Sequence, residues 1–128
     1  MNEISMVIVG YDEVYLASLE IGLLKEIGSM VSLTVITNTE YFNHFFSLPQ
    51  KIDVLLIEKE LYGPSIERQN IEKIFVLEES EEEGLYKQNV TGIYKFASAK
   101  EIFHKISGKI GREINDKNRN IETSKTIL

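Results

Sequence analysis

The sequence predicts an α/β domain of (βα)5 layout built on a parallel five-stranded sheet. Three observations carry that expectation. Short β-rich apolar runs alternate with segments of helical period along the chain. One run, Asp53-Val54-Leu55-Leu56-Ile57, is apolar on both faces, as a strand covered by helices on both sides must be. Parallel neighbours, in turn, require crossover connections, usually helical, between consecutive strands.

The first strand is Met6-Val7-Ile8-Val9, bounded by Gly10. Asp12 then caps a helix in which Leu16, Leu19, Leu23 and Ile27 share one face, with Gly28 as its stop. Val31 to Ile36 is the second strand. Asn38 or Thr39 opens a short aromatic helix carrying Tyr41, Phe42, Phe45 and Phe46, which Pro49 ends; two of these aromatics are expected in the core and the others on a contact patch. Val54 to Ile57 is the third strand, Ile74 to Leu77 the fourth and Gly92 to Lys95 the fifth. Ser98 and Glu101 form a capping box for the last helix, whose apolar side is Ile102, Phe103, Ile106, Ile110 and Ile114. Residues 115–128 have no apolar period and read as a polar linker or tail after a domain spanning 1–114.

Two crossovers are short of helix. Between Glu58 and Ile74 the segment with Gly63-Pro64 has room for a turn or two. Between Leu77 and Gly92 the acidic run Glu78-Glu79-Ser80-Glu81-Glu82-Glu83 repels itself, so the fourth helix is expected to be short or frayed.

Composition bounds the function. The chain has 128 residues, enough for one domain with a core, and is 43% hydrophobic and 27% charged, which predicts a soluble globular protein. The absence of cysteine excludes disulfides, thiolate metal sites and a cysteine nucleophile. No basic stretch precedes an apolar one at the N-terminus, and no apolar run approaches roughly 18 residues, so neither a signal peptide nor a spanning helix is expected and the cytoplasm is the expected location. Residues 1–94 hold 16 acids against 6 Lys/Arg, whereas residues 95–128 hold 4 against 8. An acidic body does not suit nucleic acid. The basic end reads as the wet face of a helix or as a contact for an acidic partner.

The chemistry gathers on Glu58 and Lys95. An acid and a lysine at the carboxyl ends of two strands face one crevice, where open α/β sheets place their sites. The pattern over roughly residues 4–114 resembles the receiver domain of two-component response regulators. On that resemblance the sheet is flavodoxin-like and doubly wound, of order 2-1-3-4-5, with shortened third and fourth helices. Glu58 takes the place of the phospho-accepting aspartate, five residues after Asp53, and Lys95-Phe96 with Ser98 matches the fifth-strand lysine and its following aromatic and cap. The proline that follows that lysine in the family is absent. The metal-holding acid pair should fall on Gly10 and Tyr11, with Asp12 and Glu13 displaced beyond it. The switch hydroxyl falls near Glu78, with Ser80 two further on.

Aspartyl phosphorylation needs a carboxylate nucleophile, a Mg²⁺ ion on the phosphoryl oxygens and a balancing lysine. Glu58 extends the acceptor by a methylene, and without the acid pair only Asp12, Glu13 and Glu58 remain as weak metal candidates. Catalytic phosphorylation, and with it any cofactor, is therefore not expected. A Glu58–Lys95 pair reads equally as a permanent imitation of the phosphorylated form and as a structural ion pair.

The short third and fourth helices, the segment Tyr94-Lys95-Phe96-x-Ser98-x-x-Glu101-Ile102 and the polar tail are similar, more narrowly, to the atypical receiver domain heading MinD-like ATPases of the TadZ/CpaE type. That resemblance implies a role in Flp pilus assembly and localisation. It also implies a P-loop ATPase domain after the tail, since G-x-x-x-x-G-K-[ST] does not occur in this chain and ATP would bind elsewhere. The expected partners are proteins, including a second copy through the fourth-strand to fifth-helix face. The alternative is a working receiver or small-ligand domain using Asp12, Glu13, Glu58 and Lys95 with Mg²⁺. A flavin domain is disfavoured because the loop after the first strand is not rich in hydroxyls and glycines. His44 and His104 lack ligand spacing, G-x-S-x-G does not occur, and Gly108-Lys109-Ile110-Gly111 reads as a helix end.

Overall fold

A computed structural model of the chain describes residues 3–27, 31–81 and 85–108. Strand β1 (Ile4–Val9) leads to α1 (Glu13–Glu26), β2 (Val31–Ile36), α2 (Thr39–Phe45) and β3 (Lys51–Glu58). A 3₁₀ turn (Lys59–Leu61), a one-turn α3 (Pro64–Glu67), β4 (Asn70–Glu78), β5 (Leu85–Lys87) and β6 (Val90–Tyr94) follow. Residues 99–108 form the last helix, α4. Gly28, Glu82 to Gly84, Ile110, Gly111, Ile114 and the tail lie outside the described residues.

The sheet has six strands, not five, in the order β2-β1-β3-β4-β6-β5. Every pair is parallel except β5–β6, which is antiparallel. The (βα)5 expectation fails at the fourth crossover. There the chain descends as β5 along the outer edge, turns at Gln88-Asn89 and inserts β6 between β5 and β4. A run of like charges has little to bury as a helix, so an in-plane hairpin does the work of the crossover. The turn is pinned to β4: the Asn89 carbonyl accepts from the Ile74 amide at 2.8 Å, and Asn89 Nδ2 donates to the Ile71 carbonyl at 3.3 Å.

Helices cover both faces of the sheet. On one, Leu16, Leu19 and Leu23 of α1 and Ile102 and Ile106 of α4 pack on Met6, Ile8, Val54, Leu56, Phe75 and Ile93. On the other, Phe46 and Ile66 close over Val7, Val9, Leu55, Ile57 and Val76. Three aromatics of the α2 region turn inward rather than two: Phe46 is buried and Phe42 and Phe45 are half-buried against it, while Tyr41 is exposed. The Asp12 side chain accepts from the Tyr15 amide, Asn38 from Tyr41 and Ser98 from Glu101, the last being the serine half of the expected capping box.

Asp53 works at the opposite edge from the crevice. Its carboxylate accepts the Ser5 amide at 2.7 Å, one residue before β1 begins to pair with β3. Asp53→Ala is expected to cost about 1 kcal/mol by urea unfolding, and Asp53→Asn less, because the amide oxygen still accepts.

Candidate functional site

The change of strand order between β1 and β3 opens the sheet's carboxyl edge, and Glu58 closes β3 there. Glu58 and Lys95 are the buried charged side chains among the described residues, at 5% and 7% exposure. Lys95 Nζ donates to Glu58 Oε2 at 2.6 Å. Glu58 Oε1 accepts the Asp12 amide at 3.0 Å, so both carboxylate oxygens are engaged.

Lys95 follows directly on β6, and its backbone amide donates to the Glu78 carbonyl at 2.7 Å, continuing the β4–β6 ladder by one rung. Its side chain lies over the Tyr15 ring, with Nζ 4.9 Å from the centroid, and 5.6 Å from that of Phe96. The Tyr15 hydroxyl donates to the Lys95 carbonyl at 2.6 Å, clamping the strand end to α1. Burial alone would lower the Lys95 pKa. The hydrogen bond and charge of Glu58, with the charges of Asp12 and Glu79, outweigh it and hold the ammonium above its ordinary value. The Tyr15 hydroxyl is pushed well up, first by burial and then by the charges of Glu58 and Asp12.

Gly10 makes this geometry possible. A Cβ at that position would collide with the Glu58 carboxylate. The glycine therefore vacates the volume into which the longer acid folds back, toward the start of α1.

A second cluster sits beside the first. Glu78, half-buried at the end of β4, pairs with Lys59 at 3.4 Å and accepts the Tyr86 hydroxyl from β5. Burial, then the Glu78 hydrogen bond, pushes the Tyr86 phenol up to about 12. Gly92 leaves room for that carboxylate as Gly10 does for Glu58. An open groove runs between the clusters, lined by Lys59, Glu60, Glu78, Glu79, Ser80 and Lys95.

The structure thus unites Glu58, Lys95 and the Asp12 backbone, and sets Glu78 and Ser80 beside them. The Asp12 carboxylate caps α1 and reaches Lys95 only as a nearby charge, and Glu13 is an exposed residue of the first turn. His44 and His104 are exposed. Among the described residues no three His, Asp or Glu side chains converge as metal ligands, and no helix is long and apolar enough to cross a membrane. Sequence reasoning missed Gly10, Tyr15, Lys59 and Tyr86 as parts of the site. Tyr15 had one available signal, its place one turn beyond Asp12 on the helix facing Lys95. No protein-family model, curated protein or solved structure matches the chain.

Proposed function

We infer that this chain is a receiver-like protein-interaction and localisation module that no longer accepts a phosphoryl group. One observation carries the reading: the carboxylate at the acceptor position has both oxygens engaged, by Lys95 Nζ and the Asp12 amide, in a site nearly closed to solvent. An in-line transfer needs a free carboxylate oxygen facing the donor and a cation on the phosphoryl oxygens. Glu58 instead spends its charge on a lysine. The pair then acts as a permanent contact in the place where a phosphorylated aspartate would meet its lysine, so the surface around it stays in one state.

The alternation of strands and helices, the Lys95-Phe96-x-Ser98 segment and the short α3 support the same placement. They are in keeping with the front domain of a TadZ/CpaE-type pilus-assembly ATPase, working through protein partners and self-association, with ATP handled by a separate domain. The competing reading is a working receiver that uses Glu58 with Mg²⁺. It draws on the open, partly acidic groove beside Lys95.

Incubation with a small-molecule phosphodonor and Mg²⁺, followed by intact mass, separates the two. The expected result is an unchanged mass. A stoichiometric gain of one phosphate that disappears in Glu58→Gln would establish the competing reading.

A further inference from the structure

Helix α1 is apolar on two opposite sides. Its inner side, Leu16, Leu19 and Leu23, is buried against the sheet. Its outer side carries Val14, Ile21 and Leu24 at 82%, 59% and 53% exposure, with exposed Ala17 between them. Helical residues step by about 100°, so Val14, Ala17, Ile21 and Leu24 fall on one stripe about 150° around the helix from the buried one. The stripe's spacing of three, four and three residues is that of a coiled-coil seam. The fold does not require this arrangement, since the sheet is already covered from the other side of the helix.

We propose that α1 is a self-association helix, pairing in parallel with α1 of a second copy of this chain. Three features of the stripe select that occupant. Val14 and Ile21, both β-branched, occupy the first seam position and Leu24 the second, the pattern that favours parallel two-stranded pairing, with Ala17 letting the helices approach closely. Parallel pairing brings the residue before one seam position beside the residue five further along on the other chain. It therefore sets Glu20 of each copy against Lys25 of the other, two opposite-charge pairs flanking the seam. Antiparallel pairing would separate these charges onto different flanks. Finally, among the described residues of α4 the outward ones, Lys100, Glu101 and His104, are polar and exposed, whereas α1 presents an apolar stripe.

The seam is about 15 Å long, which predicts a weak, concentration-dependent dimer rather than an obligate one. Both sheets would present their carboxyl edges in the same direction, setting two Glu58–Lys95 sites side by side for one partner surface. The inference leans on the contact-module reading for its purpose but not for its geometry, so mass analysis after phosphodonor treatment and the experiment below fail independently.

Sedimentation of the full chain over a concentration series is expected to show monomer and dimer in exchange. Ile21→Glu should weaken association by about tenfold or more with an unchanged circular dichroism spectrum. Because the chain has no cysteine, single-cysteine variants report the pairing directly. Ile21→Cys and Leu24→Cys should each oxidise to a disulfide-linked dimer, and Lys100→Cys on α4 should not. A monomer at every concentration would overturn the proposal, as would a dimer indifferent to Ile21→Glu. Cross-linking only between an Ala17→Cys and an Ile21→Cys chain would also overturn it, by showing the antiparallel arrangement.

Discussion

Lys95→Met is expected to lower the unfolding free energy by about 3–5 kcal/mol, the largest single-residue effect at the sheet's carboxyl edge. The size follows from burial rather than from the ion pair's own strength. Lys95 and Glu58 are 7% and 5% exposed and meet at 2.6 Å. Two desolvated charges roughly repay their burial when paired, but removing one leaves the other stranded in low dielectric. Methionine keeps an unbranched apolar stem in the buried position, so lost packing contributes little, while the ammonium's contacts with the Tyr15 and Phe96 rings go with the charge. The control is the double variant Lys95→Met with Glu58→Gln. It removes the stranded charge while leaving an oxygen to accept the Asp12 amide, and should recover at least half of the loss. Urea unfolding with an unchanged m-value reads both. A single-variant cost below about 1 kcal/mol would mean that water screens the pair as it does an exposed one, and the inference of a closed crevice would fall.

The same pair gives stability a definite pH dependence. The Lys95 pKa is raised in the folded protein above its ordinary value of 10.5: burial pulls it down, but Glu58, Asp12 and Glu79 overcome that pull. A raised folded value means that the pair's contribution is complete below the unfolded value and drains away as pH climbs through the folded one. Tyr86, held up to about 12 against an ordinary 10.0, and Tyr15, raised in the same direction, add the same sign, because the unfolded chain ionises first. Stability should therefore fall as pH rises above about 10, and Lys95→Met should make that alkaline limb shallower.

The parts legible in the sequence were those whose physics is local. The period of Leu16, Leu19 and Leu23 identifies α1, and the apolar run Val54 to Ile57 identifies β3 as a strand covered on both faces. That Glu58 and Lys95 meet was readable because each directly follows such a run, and the strand's end fixes where the side chain emerges. The hairpin was not readable. Leu85-Tyr86-Lys87 is three residues long and pairs with β6, so its strand character comes from partners three to six residues further on rather than from its own pattern. A helix was expected there because parallel strands usually need one, and that rule does not anticipate a return within the sheet. β4 also begins at Asn70, earlier than expected, since Glu72 and Lys73 interrupt the apolar run without leaving the strand. The role of Gly10 was hidden for a different reason: what matters there is volume left empty, and its occupant lies 48 residues away in sequence.

That empty volume supports the second large prediction. Gly10→Ala is expected to cost about 1–3 kcal/mol, although alanine suits the backbone: no described residue has a positive φ. The penalty is steric. The new Cβ would lie 2.6 Å from Glu58 Cγ and 2.7 Å from Cδ, closer than any real contact. A flexible carboxylate on the surface would swing aside, but Glu58 is held by Lys95 and the Asp12 amide and has almost no exposed surface to move into. Relief must therefore break the ion pair or shift the start of α1. Glu58→Asp tests the cause, because an acid one methylene shorter withdraws from the collision. In that background Gly10→Ala should be close to neutral, giving a coupling of at least about 1 kcal/mol in the double-mutant cycle. Strict additivity would mean that the two positions do not compete for space. Glycine after β1 would then say nothing about why this crevice holds a glutamate. Strong coupling would mean that the two positions form one device, in which the residue after β1 is kept without a side chain to seat the acid that closes β3.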